Sequence, residues 1–219
     1  MCFSAPASFI TAGVTGAIGI VALSRTTARR EMPLAAVPLF FALQQSVEGL
    51  LWLTLPVAPD GPAATALTLV FLLFAEAFWP VYAPVAVLLI EPDGWRRRLM
   101  LACAVAGAGV GAWLLWWTVS QPHGAAIVGG HMVYTTEQPH SDLVGLAYLA
   151  ATGLALLLSS HRTVVALGAI ILAGSTTAYM FYWEAFVSVW CFFAAAASVT
   201  IVLHFERARR QRLRIAGAP

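Results

Sequence analysis

The twelve basic residues of this chain are all arginines, and they fall in four short segments separated by apolar stretches. They are Arg25, Arg29 and Arg30; Arg96, Arg97 and Arg98; Arg162; and Arg207, Arg209, Arg210, Arg212 and Arg214. Short loops rich in arginine or lysine stay on the cytoplasmic side of a membrane, because their translocation is disfavoured. Four such segments alternating with arginine-free loops predict seven crossings, with the N-terminus outside and the C-terminus in the cytoplasm.

Composition supports an integral membrane protein with an all-α fold. Hydrophobic residues make up 60% of the chain and charged residues 10%, against roughly 45–50% and 25% in soluble proteins. We place the spans at about 8–24, 33–56, 64–90, 98–118, 142–159, 163–182 and 185–204. Because seven spans of about 20 residues use most of the chain, we expect a single transmembrane domain over residues 1–219. An exterior loop at about 119–141 and a cytoplasmic basic tail at 205–219 complete the prediction.

The charge pattern also bears on partners. The net charge is only +2, and membrane topology accounts for the arginines, so nothing indicates a nucleic-acid partner. The basic tail is expected to rest on anionic lipid headgroups. The chain has no lysine, which excludes a retinal Schiff base. A homo-oligomer or a larger membrane complex stays open.

Two glutamates, Glu48 and Glu76, are the charged residues in the interior of the predicted spans, away from the span ends. A charged group near the bilayer centre costs at least about 2.5–3.5 kcal/mol on insertion scales, so each glutamate needs compensation. The ordinary partner would be an intramembrane lysine or arginine, but there is no lysine and every arginine lies in a cytoplasmic segment. We therefore expect these carboxyl groups to be protonated, hydrogen-bonded to neutral groups or balanced by a bound ligand.

The two glutamates are expected to lie at similar depth on neighbouring antiparallel helices. Glu48 lies about 22 Å from the inner end of its span, and Glu76 lies about 18 Å from the outer end of the next. Gln44 and Gln45 precede Glu48 by four and three residues, so Gln44 shares its helix face and Gln45 lies nearby. Trp79, one turn after Glu76, can line a cavity or offer its ring to a cation. These five residues form the candidate binding site.

The outer halves of the spans are also rich in hydroxyl groups, whereas the inner halves are nearly pure Ala, Val, Leu and Ile. This asymmetry predicts a polar cavity that opens outward. The alternative is that the hydroxyls only satisfy carbonyls of their own helices, as they often do in membranes. Pro80 should leave the carbonyl of Glu76 without its helical donor, because proline has no amide hydrogen. Pro80 and Pro84 are also expected to kink or tilt span 3.

A divalent metal is one candidate ligand, with Glu48, Glu76, His131 and Cys191 as the predicted metal ligands. No HExxH, HxxxH or CxxC motif supports this site. Cys2 also falls on the outer side, where it can pair with Cys191 or, after removal of the initiator methionine, present a terminal amine and thiol. No catalytic residue can be assigned.

Two further patterns concern structure. The alternation from Ile127 to Tyr134 in the exterior loop predicts a short hairpin or a lid over the outer mouth. Glycines in spans 1 and 4 indicate close helix contacts. They are Gly13, Gly16, Gly19, Gly107, Gly109 and Gly111.

Four segments of the sequence are distinctive: MCFSAPASF at the N-terminus, FFALQQSVEGLLW, EAFWPVYAPVAVLLIEP and FVSVWCFFAAAAS. They resemble a family of bacterial multi-pass membrane proteins of unknown function. The resemblance covers nearly the whole chain and implies a bacterial cytoplasmic (inner) membrane location. It implies no activity.

Three functions remain open at this point. The leading hypothesis is a binding protein for a small cation, metal or polar solute, in which Glu48 and Glu76 are the binding carboxylates. The second is an intramembrane metal-dependent or redox enzyme. The third is a structural or accessory subunit of a membrane complex.

Overall fold

The structure, a computed structural model, describes residues 4–136 and 141–216. Within these residues it contains seven helices and one β-hairpin. The helices are α1 (Ala5–Ser24), α2 (Met32–Thr54), α3 (Pro62–Ile90), α4 (Trp95–Ser120), α5 (Ser141–Leu149, continued by Ala150–Leu154 and Ala155–Leu157), α6 (Arg162–Phe181) and α7 (Phe186–Ala197, continued by Val199–Ala216). The strands are β1 (His123–Val128) and β2 (His131–Thr136).

Six of these helices are long and apolar enough to cross a membrane, which confirms an all-α fold of membrane-spanning character. They are α1, α2, α3, α4, α6 and α7. Helix α5 is apolar but shorter than 18 residues over Asp142–Leu157, whereas a span usually needs about 20. The seventh crossing and the orientation of the chain stay predictions.

The helix ends that carry arginine meet at one end of the bundle, which we call the arginine end. The contacts are Arg25 with Glu206 (4.0 Å), Arg96 with the Ser159 carbonyl (3.4 Å) and Thr163 with His204 (2.7 Å). They join the end of α1, the start of α4, the end of α5, the start of α6 and the C-terminal part of α7. All four arginine segments thus belong to one side of the molecule, as the sequence pattern requires.

The hairpin packs near the other end of the bundle. Gly129 and Gly130 have φ of 57° and 79°, so the two-residue turn needs the left-handed conformations that glycine adopts without strain. Strand β2 buries Met132 completely and stacks Tyr134 on Phe71 of α3 at 4.4 Å. The predicted hairpin is therefore present, and it is longer than the alternating segment.

Helix α3 departs from α-helical geometry in its middle. Residues Leu73–Phe78 form a π-helix, in which the Trp79 amide donates to the Phe74 carbonyl, five residues back. The next residue, Pro80, has no amide hydrogen and cannot donate to Ala75 in the same pattern. The hydroxyl of Tyr148 on α5 donates to the Ala75 carbonyl instead, at 2.8 Å. Helix α3 therefore contains a π-helix directly before Pro80, and Tyr148 donates to the carbonyl just before Glu76. The kink of span 3 and the unpaired Glu76 carbonyl stay predictions.

Helix α4 packs closely on this part of α3. A Cβ atom at Gly107 would overlap the Pro80 carbonyl oxygen, and one at Gly111 would lie 2.8 Å from the Ala77 carbonyl oxygen. Small residues let helix backbones approach in this way. The prediction of close contact was wrong for two glycines. A Cβ atom at Gly109, or at Gly13 of α1, would meet no atom within 4 Å among residues 4–136 and 141–216. Within these residues, the two glycines lie outside the helix contacts.

We expect Gly107→Ala to destabilise the detergent-solubilised protein by about 1–3 kcal/mol, because the added methyl group would push α4 away from α3. Thermal unfolding followed by circular dichroism measures the loss. Gly109→Ala is the matched control and should be neutral or slightly stabilising, since its methyl group meets open space. An equal loss in both variants would argue against the close contact.

Candidate functional site

The polar face of α2 lies inside the bundle. Gln44, Gln45 and Glu48 are each 0% exposed, although they occupy the middle of an apolar helix. Ser188, close to the start of α7, donates a hydrogen bond of 2.6 Å to one carboxyl oxygen of Glu48. The first glutamate of the candidate site is therefore anchored between α2 and α7.

Gln44 connects three helices through both ends of its amide group. Its oxygen accepts from the Trp79 indole nitrogen at 2.8 Å, and its nitrogen donates to the Cys191 sulfur at 3.1 Å. The Trp79 ring also stacks on Phe41 of α2, with ring centres 4.0 Å apart. The polar atoms of Gln44 and Trp79 are thus occupied by protein contacts. In a binding site these two side chains would hold the surrounding helices in position and would not contact the ligand through these atoms.

Glu76 lies in the π-helix of α3 and is 8% exposed. Its two carboxyl oxygens lie 2.7 Å from the Thr118 hydroxyl and 3.4 Å from the Thr136 hydroxyl. The Thr118 hydroxyl is also 2.8 Å from the Leu114 carbonyl. A threonine has one hydroxyl proton, so the carboxyl group either shares that proton with the carbonyl or donates one of its own to Thr118.

Hydrogen bonds connect the surroundings of the two glutamates. Gln44, one turn before Glu48, accepts from Trp79, which follows Glu76 by three residues. Gln44 also donates to the Cys191 thiol, and Tyr148 donates to the carbonyl just before Glu76. A single site made by both carboxyl groups stays a prediction. We call the residues around the two carboxyl groups the polar cluster; they are Gln44, Gln45, Glu48, Glu76, Thr118, Tyr148, Ser188 and Cys191.

Gln45 differs from its neighbour Gln44. Within the described part of the chain, neither its amide nitrogen nor its amide oxygen has a hydrogen-bond partner. A buried polar group without a partner costs about 1–3 kcal/mol. Such a group in a native structure calls for an explanation, which can be strain, a catalytic role, or a bound water molecule or ion. Gln45 is therefore the member of the polar cluster with amide hydrogen-bonding capacity to spare.

The predicted divalent-metal site is not assembled by side chains that the structure describes. Among residues 4–136 and 141–216, no group of three or more His, Cys, Asp and Glu side chains could hold a metal ion. His131 packs against the ring of Tyr182, with ring centres 5.4 Å apart. Cys191 is a free thiol. Cys2, Glu137 and His140 lie outside the described residues.

Two pockets lie elsewhere, along α3 and α4, with volumes of about 460 and 380 Å³. Neither is lined by a residue of the polar cluster. An outward-opening cavity at Glu48 and Glu76 therefore stays a prediction.

Sequence reasoning missed three relevant residues. Thr118 and Thr136 contact Glu76, and Glu91 is a third buried carboxylate, which accepts from the Ser159 hydroxyl at 3.1 Å and the Ser160 amide at 3.0 Å. Helical periodicity could have found Thr118, because it follows Gly111 by seven residues on the same face of α4. Thr136 and Glu91 carry no comparable signal, since their contacts join distant parts of the chain.

Tyr148→Phe is expected to destabilise the protein by about 1–3 kcal/mol, because the buried Ala75 carbonyl would lose its donor. Tyr179→Phe removes the same hydroxyl from an exposed position of α6 and should leave the unfolding midpoint unchanged. Thermal unfolding of both variants tests the contact. Equal midpoints for the two variants would contradict a structural role for the Tyr148 hydroxyl.

Comparison with known proteins identifies a family but no activity. A search of curated proteins and a search of solved structures gave no match. One family model, described as "Family of unknown function (DUF6629)", matches residues 1–216. The resemblance to an uncharacterised family is confirmed. The match extends over nearly all of the 219 residues, and the chain therefore belongs to family DUF6629, a family of unknown function.

Proposed function

We propose that this protein is a multi-pass membrane protein that binds a small cation in its polar cluster. Glu48 and Glu76 supply the carboxylate ligands in this proposal, and Gln45 supplies an amide oxygen. Gln44, Trp79 and the hydroxyl residues hold these groups in position. The ion would enter from the hairpin side of the bundle.

The buried and unsatisfied amide of Gln45 is the observation that carries the proposal. It lies one turn before Glu48 on α2, so a ligand that contacts the carboxyl group is within reach of the amide. A bound cation coordinated by the Gln45 amide oxygen would give that oxygen a partner. A water molecule on the ion could accept from the amide nitrogen and give that nitrogen a partner as well.

The chemistry of the cluster favours a hard cation over a soft one. Its available donors are carboxyl, hydroxyl and amide oxygens, which suit Na⁺, Mg²⁺ or Ca²⁺. Its one soft donor, the Cys191 thiol, already accepts a hydrogen bond from Gln44. Two carboxyl groups in one buried cluster repel each other when both are ionised, and a cation between them relieves that repulsion. We therefore do not extend the proposal to a site made with His131 and Cys191.

We also propose seven crossings, with the arginine end in the cytoplasm of a bacterial cell. Helix α4 starts at the arginine end, and the α5–α6 connection contacts that end again through Ser159. Helix α5 therefore has to return from the hairpin to the arginine end. At about 1.5 Å per residue it covers about 24 Å, which a locally thinned bilayer accommodates. The positive-inside rule then assigns the arginine end to the cytoplasm.

Cation binding is tested on detergent-purified protein that has been freed of bound ions by dialysis. We expect one of Na⁺, Mg²⁺ and Ca²⁺ to raise the thermal unfolding midpoint saturably, with about 2.7 kcal/mol of stabilisation at a hundredfold excess over Kd. Gln45→Leu should weaken binding at least about tenfold, the effect of losing about 1.4 kcal/mol of ligand contact. Glu48→Gln and Glu76→Gln should weaken it further.

Glu184→Gln is the matched control, because Glu184 is exposed near the start of α7 and loses the same charge. This variant should bind the ion as the unmodified protein does. The proposal fails if none of the three ions stabilises the protein, or if Glu184→Gln weakens binding as much as Glu48→Gln.

Topology is tested with reporter fusions in a bacterial host. Alkaline phosphatase should be active when fused after Gly130 and inactive when fused after Ser160, because it folds only outside the cytoplasm. A green fluorescent protein at the C-terminus should fluoresce. An active phosphatase after Ser160 would show that α5 does not cross the membrane.

A further inference from the structure

The arginine end carries a pocket of about 380 Å³ that opens beside the junction of α3 and α4. Its lining is part charged and part apolar. The residues are Leu88, Asp93, Gly94, Arg97, Arg98 and Leu101. Charged and apolar side chains occur together where membrane proteins meet lipid headgroups. No residue of the polar cluster lines this pocket.

The charge of the pocket is positive on balance, with two arginines and one aspartate in its lining. Arg97 is paired with Asp93 at 3.4 Å and donates to the Glu91 carbonyl at 3.1 Å. In the part of the chain that the structure describes, Arg98 forms no ion pair. Arg98 is exposed, so its guanidinium group is available to an anion from outside the protein.

An apolar pocket of about 460 Å³ continues along the same two helices toward the middle of the bundle. Its α3 lining includes Ala77, Val81 and Val85, at intervals of four residues, and Leu88 of the first pocket follows three residues later. Spacings of three and four residues keep these side chains on one face of the helix. The two pockets thus lie on a single stripe of α3.

Helix α4 forms the other side of this stripe. Leu101 lines the first pocket and Leu115 lines the second, and both are about half exposed. Between them, Ala108 and Ala112 fall on the same face of α4 by helical spacing. Small side chains between the two leucines leave this face of α4 unobstructed. We infer that the two pockets belong to one groove, which runs from the arginines into the apolar region.

The length of the groove fits a lipid chain. Leu73 lines the apolar pocket, and Leu88 lines the pocket at the arginines. They are 15 residues apart along α3, which corresponds to about 22 Å of helix. One leaflet of a bilayer has a hydrocarbon depth of about 15 Å, half the thickness of the whole core. An acyl chain of one leaflet therefore fits along the groove while its headgroup remains at the arginine pocket.

We propose that this groove binds an anionic phospholipid, with its phosphate at Arg97 and Arg98 and one acyl chain along α3 and α4. The arginines provide the charge complementarity, and basic pockets between membrane helices take anionic headgroups elsewhere. The adjoining apolar pocket selects a lipid over a free phosphate, because a headgroup alone leaves that surface uncovered. The lipid site is separate from the proposed cation site and does not depend on it.

Native mass spectrometry of the detergent-purified full chain tests the proposal. The probes are dioleoyl phosphatidylglycerol, dioleoyl phosphatidylcholine and glycerol phosphate. We expect the phosphatidylglycerol to bind at least about fivefold more tightly than the phosphatidylcholine, because each arginine near an anionic headgroup contributes about that factor. Arg98→Gln should remove this preference. Val85→Trp should weaken both lipids equally, since it fills the apolar groove without changing the charge.

Arg207→Gln is the matched control, because Arg207 is exposed in the tail of α7 and loses the same charge. It should keep the preference for phosphatidylglycerol. The proposal is overturned if Arg207→Gln and Arg98→Gln lose the preference equally, which would indicate general attraction to the basic surface. It is also overturned if Val85→Trp binds both lipids normally, or if glycerol phosphate binds as tightly as the lipid.

Discussion

The missing amide hydrogen of Pro80 is the constraint on which the centre of the bundle depends. In the interior of a membrane, a helix carbonyl without a donor is costly, because no water can replace the lost hydrogen bond. Helix α3 adopts a π-helix before Pro80, and Tyr148 of α5 donates to the Ala75 carbonyl. One proline therefore couples the geometry of α3 to the position of α5.

The same segment determines the surroundings of Glu76. A π-helix contains one more residue per hydrogen-bonded turn than an α-helix, so it rotates the side chains that follow it, and π segments are frequent at functional sites. Glu76 lies inside this segment, and the glycine face of α4 approaches directly after it. That approach brings Thr118, two turns beyond Gly111, to the carboxyl group. The π-helix of α3 thus determines both the path of the backbone before Pro80 and the side chains that surround Glu76.

The sequence predicted the helices and the polar residues of α2 and α3, because both follow from local composition. Arginine placement predicted seven crossings, and six helices are long and apolar enough to cross a membrane. The absence of lysine drew attention to Glu48 and Glu76. The sequence could not predict the hydrogen bond from the Gln44 amide to the Cys191 sulfur, because these residues are 147 positions apart. The sequence also could not distinguish Gln44 from Gln45. The two adjacent glutamines are equally buried, and they differ only in whether other helices supply hydrogen-bond partners to their amide groups.

That difference between the two glutamines carries a physical argument about function. Gln44 is satisfied by Trp79 and Cys191, so its amide contributes to the assembly of three helices. Gln45 is equally buried, but neither polar atom of its amide group has a hydrogen-bond partner among the described residues. A leucine of similar volume at position 45 would avoid the desolvation cost, and stability alone would favour it. The proposed ligand beside Glu48 would account for a glutamine at this position, whereas the described packing of α2 gives its amide no hydrogen-bond partner. Gln44 differs, because its replacement by leucine would leave the buried indole nitrogen of Trp79 without an acceptor.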